Sequence, residues 1–114
     1  MRNGAADPIR PPIFCYTICI TVRFEWDSHK DRENQAKHGV AFALAARVFQ
    51  DNNYILRKDR FDQDGELRWH AIGMVDAVLL LVVHVCRSNR HGEEIIRIIS
   101  ARKASKHEGR GYFQ

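Results

Sequence analysis

The spacing of apolar residues changes once along the chain, near residue 50. Before that point Phe42, Ala45, Ala46 and Phe49 recur at i, i+3, i+4 and i+7, which places them on one face of a helix. After it, apolar residues come in short runs separated by turn residues, as is typical of β-strands. A chain of 114 residues has room for a single core. The order therefore predicts one α+β domain of two layers, with helices packed on a sheet.

Capping signals predict where the helices begin and end. Asp27 is a typical N-cap for a first helix that continues to His38, and Gly39 suits the left-handed position after its last turn. A second helix is predicted over residues 41–50. Ser105 and Glu108 have the spacing of a capping box and predict a terminal helix, which the following glycines should keep short.

Strand patterns predict an antiparallel sheet of about four to five strands. One apolar run ends at Trp26, before the first helix. Turn residues at 63–65 and 90–92 separate most of the later runs. The predicted later strands are 54–57, 67–74, 78–86 and 95–101. In the strand 67–74, Arg68 and His70 should share one face, because side chains alternate along a strand.

The N-terminal residues have a different composition from the rest. Residues 1–12 contain three prolines and a glycine and should form a loose arm. Residues 13–22 are apolar, but about half the ~20 residues needed to span a bilayer, so a strand or an early start codon is expected rather than an anchor. The three cysteines, Cys15, Cys19 and Cys86, lack zinc-ligand spacing. An odd number of cysteines fits a reduced, cytoplasmic compartment.

Positive charge is concentrated near the C-terminus. Residues 87–114 hold seven Lys and Arg against three Asp and Glu, whereas residues 1–86 hold eleven of each. A local basic surface favours a polyanion such as nucleic acid, or an acidic partner protein. A solvated face with no ligand is the structural alternative.

Four segments together resemble a known family. They are FEWDSHKDRENQAKHGVAFALAARVF, DQDGELRWHAIG, LLLVVHVCR and IIRIISARKAS, followed by Tyr112. In this order, W-D, K-H-G, G-E-x-R and R-I-I-S-A-R-K-A resemble the BrnT family of type II toxin–antitoxin systems over about residues 22–112. The resemblance divides the chain into an extension, 1–21, and a toxin domain, 22–114.

The resemblance also implies a structure, an activity and partners. It implies a RelE-like fold and an endoribonuclease that cleaves RNA and inhibits translation. The expected partner is a BrnA-like ribbon-helix-helix antitoxin, through which the complex contacts DNA, with a toxin homodimer expected inside that complex. No membrane partner is implied.

RNA cleavage without a metal needs a base, an acid and cations around the phosphorane. Histidine can take either proton role, and arginine contacts two phosphate oxygens at once. Arg68, His84 and Arg97 are therefore the predicted catalytic residues, with His70 a further candidate from strand parity. No cofactor is expected. A metal is not expected either, although a site made by His84 and His91 stays open.

Five further residues are predicted to bind RNA. They are Lys37, Arg87, Arg102, Lys103 and Tyr112. Several candidates have structural alternatives. His84 could be a core histidine, Arg97 a salt-bridge partner of Glu66 or Glu94, and Lys37 with His38 the cations that offset a helix dipole. The alternative function is a module that binds RNA or a protein through the same basic face without cleaving it.

Overall fold

The computed structural model describes residues 22–113, which form five strands and three short α-helices. In chain order the elements are β1 Val22–Glu25, α1 Ser28–His38, α2 Phe42–Ala45, β2 Ile55–Phe61, β3 Leu67–Val75, β4 Val78–Ser88, β5 Glu94–Lys103 and α3 Lys106–Gly109. A 3-10 helix, Ala46–Gln50, continues directly from α2. The predicted N-terminal arm, Cys15 and Cys19 lie outside the described residues.

The strands form one mixed sheet in the order β1-β5-β4-β3-β2. Strands β2 to β5 are an antiparallel meander, whereas β1 pairs parallel to β5, with Glu25 opposite Arg97. The prediction of a wholly antiparallel sheet is therefore wrong at this edge. Hairpins enforce antiparallel pairing only between strands joined by a short turn. Because the helices and three strands separate β1 from β5, that constraint does not apply to this pair.

The first helix begins and ends where the sequence predicts. The Asp27 carboxylate accepts a hydrogen bond from the backbone N–H of His29 at 2.8 Å, and Gly39 has φ 73°. Inside the helix, the Asn34 amide donates to the carbonyl of Ala101 and its oxygen accepts from the N–H of the same residue. Asn34 thus pairs with β5 beyond the point where β1 has ended, which fixes α1 at this edge of the sheet.

The core lies between the sheet and the segment from α2 to the 3-10 helix. Phe49 contacts the rings of Phe24, Tyr54 and His84, with centroids 5.0 to 5.6 Å apart. Ile96 and Ile98 of β5 point to the same side and are at most 1% exposed. This aromatic and aliphatic layer covers one side of the sheet, and on the opposite side Ile72, Leu81 and Val85 are also buried.

Within residues 22–113, no helix has both the length and the apolar character required to cross a membrane.

Candidate functional site

The side of the sheet opposite Phe49 carries most of the charged strand residues, and we call it the open face. Cross-strand register defines it, since residues directly opposite one another point to the same side. Glu25, Arg97 and Val85 form one row across β1, β5 and β4. A second row runs through Ser100, Val83, His70 and Arg57 across β5, β4, β3 and β2.

A β-bulge brings two arginines of β5 onto this face. In a regular strand, residues five apart point to opposite sides. Here the register shifts between Val83 and His84, which pair with Ser100 and Ile98, so one residue of β5 is extra. Arg97 and Arg102 consequently share the open face. Lys103 pairs with Leu80, a core residue, so it belongs to the other side at the exposed end of β5.

Arg97 on β5 uses only part of its hydrogen-bonding capacity. Arg97 Nη1 donates to Glu25 Oε2 at 3.2 Å, and both side chains are about a third exposed, at 34% and 40%. A guanidinium has five N–H donors. Among the described residues this is the one hydrogen bond that the Arg97 side chain makes, so most of its donors are available to a phosphate.

Arg68 lies two strands away on the same face. The next residue, Trp69, pairs with His84 in the antiparallel register of β3 and β4. Arg68 therefore lies next to Val85, which is also the partner of Arg97. The Arg68 Nε is 3.7 Å from Asp62 Oδ2, which is an ion pair but too long for a hydrogen bond. This Nε is buried and has no hydrogen-bond partner within residues 22–113. Arg68 therefore lies beside the Asp62 carboxylate, but its Nε–H makes no hydrogen bond within the described residues.

Arg87 and Arg102 are bound more tightly to carboxylates. Arg87 donates twice to Glu66, at 2.8 and 3.0 Å, and these bonds lower the pKa of the Glu66 carboxyl. Arg102 donates twice to Glu108, at 2.8 and 2.7 Å. The Arg102 bonds, together with the backbone N–H of Ser105, lower the pKa of Glu108 to about 2. Arg102 thus also supports the capping box that begins α3.

A histidine and a carboxylate form a pair on the open face between β3 and the edge strand β2. His70 Nε2 lies 3.4 Å from Asp59 Oδ2, and the two side chains are 27% and 21% exposed. His70 is reachable from solvent, unlike the other strand histidine. An aspartate beside an imidazole accepts a hydrogen bond from the ring N–H and orients the ring. This pair has the access and the chemistry that proton transfer requires.

His84 instead lies in the core. It is 0% exposed, its ring meets the Phe49 ring edge-on at 5.0 Å, and burial lowers its pKa to about 4. Nδ1 is 3.4 Å from the Val82 carbonyl, a long contact, and Nε2 has no partner among the described residues. The register puts His84 on the side of Phe49 rather than on the open face. A fully buried, neutral imidazole does not reach RNA, so this placement argues against the predicted catalytic role and for the core alternative.

The family comparison agrees with the resemblance seen in the sequence. Residues 26–108 match the family described as "Ribonuclease toxin, BrnT, of type II toxin-antitoxin system". The chain belongs to this family. The matched BrnT region runs from Trp26 to Glu108, and it contains every open-face residue described above except Glu25. A comparison with curated proteins found no match.

The other two predicted RNA-binding residues of this BrnT toxin, Lys37 and Tyr112, lie outside the strands. Lys37 and His38 are exposed in the last turn of α1, at the sheet edge, where they offset the helix dipole. The Tyr112 hydroxyl donates to Asp51 Oδ2 at 2.5 Å, and with burial this bond raises the Tyr112 pKa to about 12. Tyr112 therefore ties the C-terminal segment to the end of the 3-10 helix.

The structure also identifies residues that sequence reasoning missed. Register places Glu25 opposite Arg97 and Arg57 opposite His70 on the open face, and Asp59 joins them through its ion pair with His70. Strand parity within β2 contained the signal for Arg57 and Asp59, but the predicted strand ended at residue 57. For metal ions, no group of three or more His, Cys, Asp or Glu side chains in the described part of this BrnT toxin is arranged as a site. His91 lies in the exposed turn before β5, apart from the buried His84.

Proposed function

We propose that this BrnT family member is a metal-independent endoribonuclease of RelE-like fold whose open face binds and cleaves RNA. The observation that carries the proposal is the convergence of Arg97, Arg68 and His70 on one side of a rigid sheet. Strand spacing of about 4.8 Å puts Arg97 on β5 and Arg68 on β3 about 10 Å apart at their backbones. Two arginine side chains can bridge that distance from opposite sides of one phosphate.

The reaction requires a base for the 2′-hydroxyl, which then attacks the adjacent phosphorus as the bond to the 5′-oxygen breaks. The leaving 5′-oxygen takes up a proton, and the product is a 2′,3′-cyclic phosphate. We assign one of the two proton transfers to His70, oriented by Asp59. His70 replaces His84 in this role because it is accessible from the open face.

The arginines are assigned two different roles. Arg97 and Arg68 face the negative charge that develops on the phosphorane, where fixed cationic donors lower the barrier. Arg87 and Arg102 are assigned to the RNA backbone, whereas Lys103 points to the other side of the sheet and is not part of this surface. Arg87 and Arg102 first have to exchange part of a bidentate carboxylate contact for a phosphate. Their contribution should therefore be to affinity rather than to the rate.

We further infer that cleavage by this toxin inhibits translation and that a BrnA-like antitoxin neutralises it. The open face carries both arginines and carboxylates. A protein partner that covers it therefore needs acidic groups opposite the arginines and basic groups opposite the carboxylates. Such charge matching selects one partner and fixes its orientation. The test is to co-express the toxin with the product of the adjacent gene. That product should restore growth and should co-purify with the toxin.

Cleavage of a defined RNA in excess EDTA, with analysis of the product ends, tests the enzymatic proposal. Cleavage with a 2′,3′-cyclic phosphate end is expected, because the cations of the open face are already supplied by arginine side chains. Activity that disappears in EDTA and returns with a divalent ion contradicts metal independence. RNA binding with no cleavage under any condition favours the non-catalytic binding module instead.

A further inference from the structure

Within the described residues, Arg57 differs from the other open-face arginines in having no carboxylate partner. Arg68, Arg87, Arg97 and Arg102 each lie within 4 Å of one, at 2.7 to 3.7 Å. For Arg57, no Asp or Glu of residues 22–113 lies at ion-pair distance, although Asp59 is two residues away on the same strand. Asp59 pairs instead with His70 and Arg60.

The position of Arg57 is nevertheless defined. It lies directly opposite His70 in the β2 and β3 register, so the two side chains point to the same side. Directly opposed residues in an antiparallel pair have Cα atoms about 4.5 to 5.5 Å apart. The side chains of Arg57 and His70 therefore start from adjacent positions on the same side of the sheet.

The Arg57 guanidinium packs against Gly111 of the C-terminal segment. A Cβ atom on Gly111 would lie 2.2 Å from Arg57 Nη2 and 3.4 Å from Arg57 Cζ, so the arginine packs against the backbone of Gly111. Gly111 is not one of the glycines with positive φ, which are Gly39, Gly65 and Gly92. Its lack of a side chain is needed for space and not for backbone conformation.

The segment that contains Gly111 is itself tied down. Tyr112 is bonded to Asp51 at 2.5 Å, and the Asp51 carboxylate also accepts from the N–H of Met74 at 2.7 Å. The C-terminal segment is thereby fixed to the end of β3 that carries Ile72, the cross-strand partner of Ile55. Arg57 lies at the border between this covered end and the charged part of the open face.

We propose that Arg57 and His70 form a binding site for a phosphate group of RNA, and that Gly111 keeps the Arg57 guanidinium in that site. The inference rests on the proposed ribonuclease function for the identity of the ligand. An arginine that is held in place but not neutralised offers a bidentate contact that no internal carboxylate has to give up. Placed beside His70, it binds the phosphate that lies between the 2′-hydroxyl and the leaving 5′-oxygen, one of which exchanges a proton with His70.

The chain offers a matched control one residue away. Lys58 follows Arg57 on β2 but pairs with Trp69, on the opposite side of the sheet. Arg57→Gln and Lys58→Gln each remove one positive charge from neighbouring positions on different faces. An effect of overall charge on RNA binding is the same in both variants, whereas an effect of the proposed site appears in Arg57→Gln alone.

Gly111→Ala tests the positioning role without removing the arginine. The atom that the new methyl group would meet is the end of a flexible side chain, so the variant can fold while the Arg57 guanidinium moves away. Arg57→Gln shortens that side chain and removes the clash. Gly111→Ala should therefore reduce activity in the wild-type background and have little further effect in Arg57→Gln, which is the signature of two coupled positions.

The experiment measures two quantities for wild type, Arg57→Gln, Lys58→Gln, Gly111→Ala and the double variant. The first is kcat/KM on a defined RNA in EDTA. The second is the salt dependence of binding to the oligodeoxynucleotide of the same sequence, which lacks the 2′-hydroxyl and is not cleaved. We expect Arg57→Gln to lower kcat/KM by at least about 10-fold, and to reduce the slope of log K against log salt by about 0.7, the value for one single-strand phosphate.

The outcomes separate this inference from the proposed function. If the wild type cleaves RNA and Arg57→Gln matches Lys58→Gln in both measurements, the phosphate site is wrong and the ribonuclease proposal stands. If the wild type does not cleave but Arg57→Gln alone loses the salt slope, the site stands and the ribonuclease proposal fails. Equal and additive losses from Gly111→Ala in both backgrounds overturn the positioning role of Gly111.

Discussion

Glu25 lies directly opposite Arg97 in the parallel pair of β1 and β5, and its carboxylate accepts one hydrogen bond from the guanidinium at 3.2 Å. The carboxylate orients the arginine and also occupies space that an RNA phosphate needs. At 40% exposure it can turn away towards solvent. Under the proposed function, Glu25 therefore both orients the predicted catalytic arginine and competes with the RNA phosphate for it.

Glu25→Gln should strengthen RNA binding. The amide keeps an oxygen acceptor for Arg97 but removes a negative charge that repels phosphate, so the Kd for an uncleavable oligodeoxynucleotide is expected to fall by about 3- to 10-fold at low salt. Glu93→Gln is the control, because Glu93 pairs with the exposed Arg23 at 3.4 Å near the start of β5. If both variants bind equally well, a general change in charge explains the result and Glu25 does not compete at Arg97.

His84 should govern stability in mildly acidic solution. Its pKa is about 4 in the folded protein against 6.5 for a free imidazole, so the unfolded chain takes up a proton first as the pH falls. The free energy of unfolding is therefore expected to decrease between about pH 6.5 and pH 4, by about 3 kcal/mol in total from this group. His84→Leu should remove that part of the pH dependence in urea unfolding measured across this range.

The same variant separates a core role from a catalytic one. A folded His84→Leu protein should still cleave RNA at pH 7, because the proton transfer is assigned to His70. His70→Gln should instead fold normally and lose activity. Loss of cleavage in a normally folded His84→Leu protein, with His70→Gln active, would restore the catalytic role predicted from the sequence.

Glu108 should stabilise the C-terminal helix above about pH 4.5. Its pKa is lowered from 4.5 to about 2, so its contribution is fully present above the unfolded value and is lost as the pH falls towards 2. Glu108→Gln keeps an oxygen acceptor for the Ser105 N–H but loses the charged contact with Arg102, and a loss of about 1 kcal/mol lowers the Tm by roughly 4 to 8 °C. An unchanged Tm at pH 7 contradicts this role.

Local signals predicted the element boundaries well where capping chemistry was specific. Asp27, Gly39 and the box of Ser105 with Glu108 are recovered in the structure, because each satisfies backbone groups within a few residues. The second helix was predicted as one element over residues 41–50, but it is a single α-turn followed by a 3-10 helix. Its apolar spacing indicates the buried side and does not distinguish the two helix types.

Long-range relationships were not accessible to the same reasoning. The continuation of β2 to Phe61 through charged residues 57–60 was missed, because an edge strand needs no alternation of apolar residues. The bulge in β5 has no signal in a run of isoleucines, yet it decides that Arg97 and Arg102 share a face. Strand parity did indicate His70, whereas the apolar run around His84 indicated burial and could not exclude a functional role.

Arg97 provides the most direct test of the account, in single-turnover cleavage of a defined RNA at saturating protein. Arg97→Ala is expected to lower the rate by on the order of 10²-fold, and Arg97→Lys nearly as much, because a point charge does not replace a planar bidentate donor. Arg47→Ala is the control, since Arg47 is ion-paired with Asp76 at 3.0 Å away from the open face. It should cleave at the wild-type rate. A folded Arg97→Ala protein that cleaves as fast as wild type would contradict the assignment of the open face as the catalytic surface.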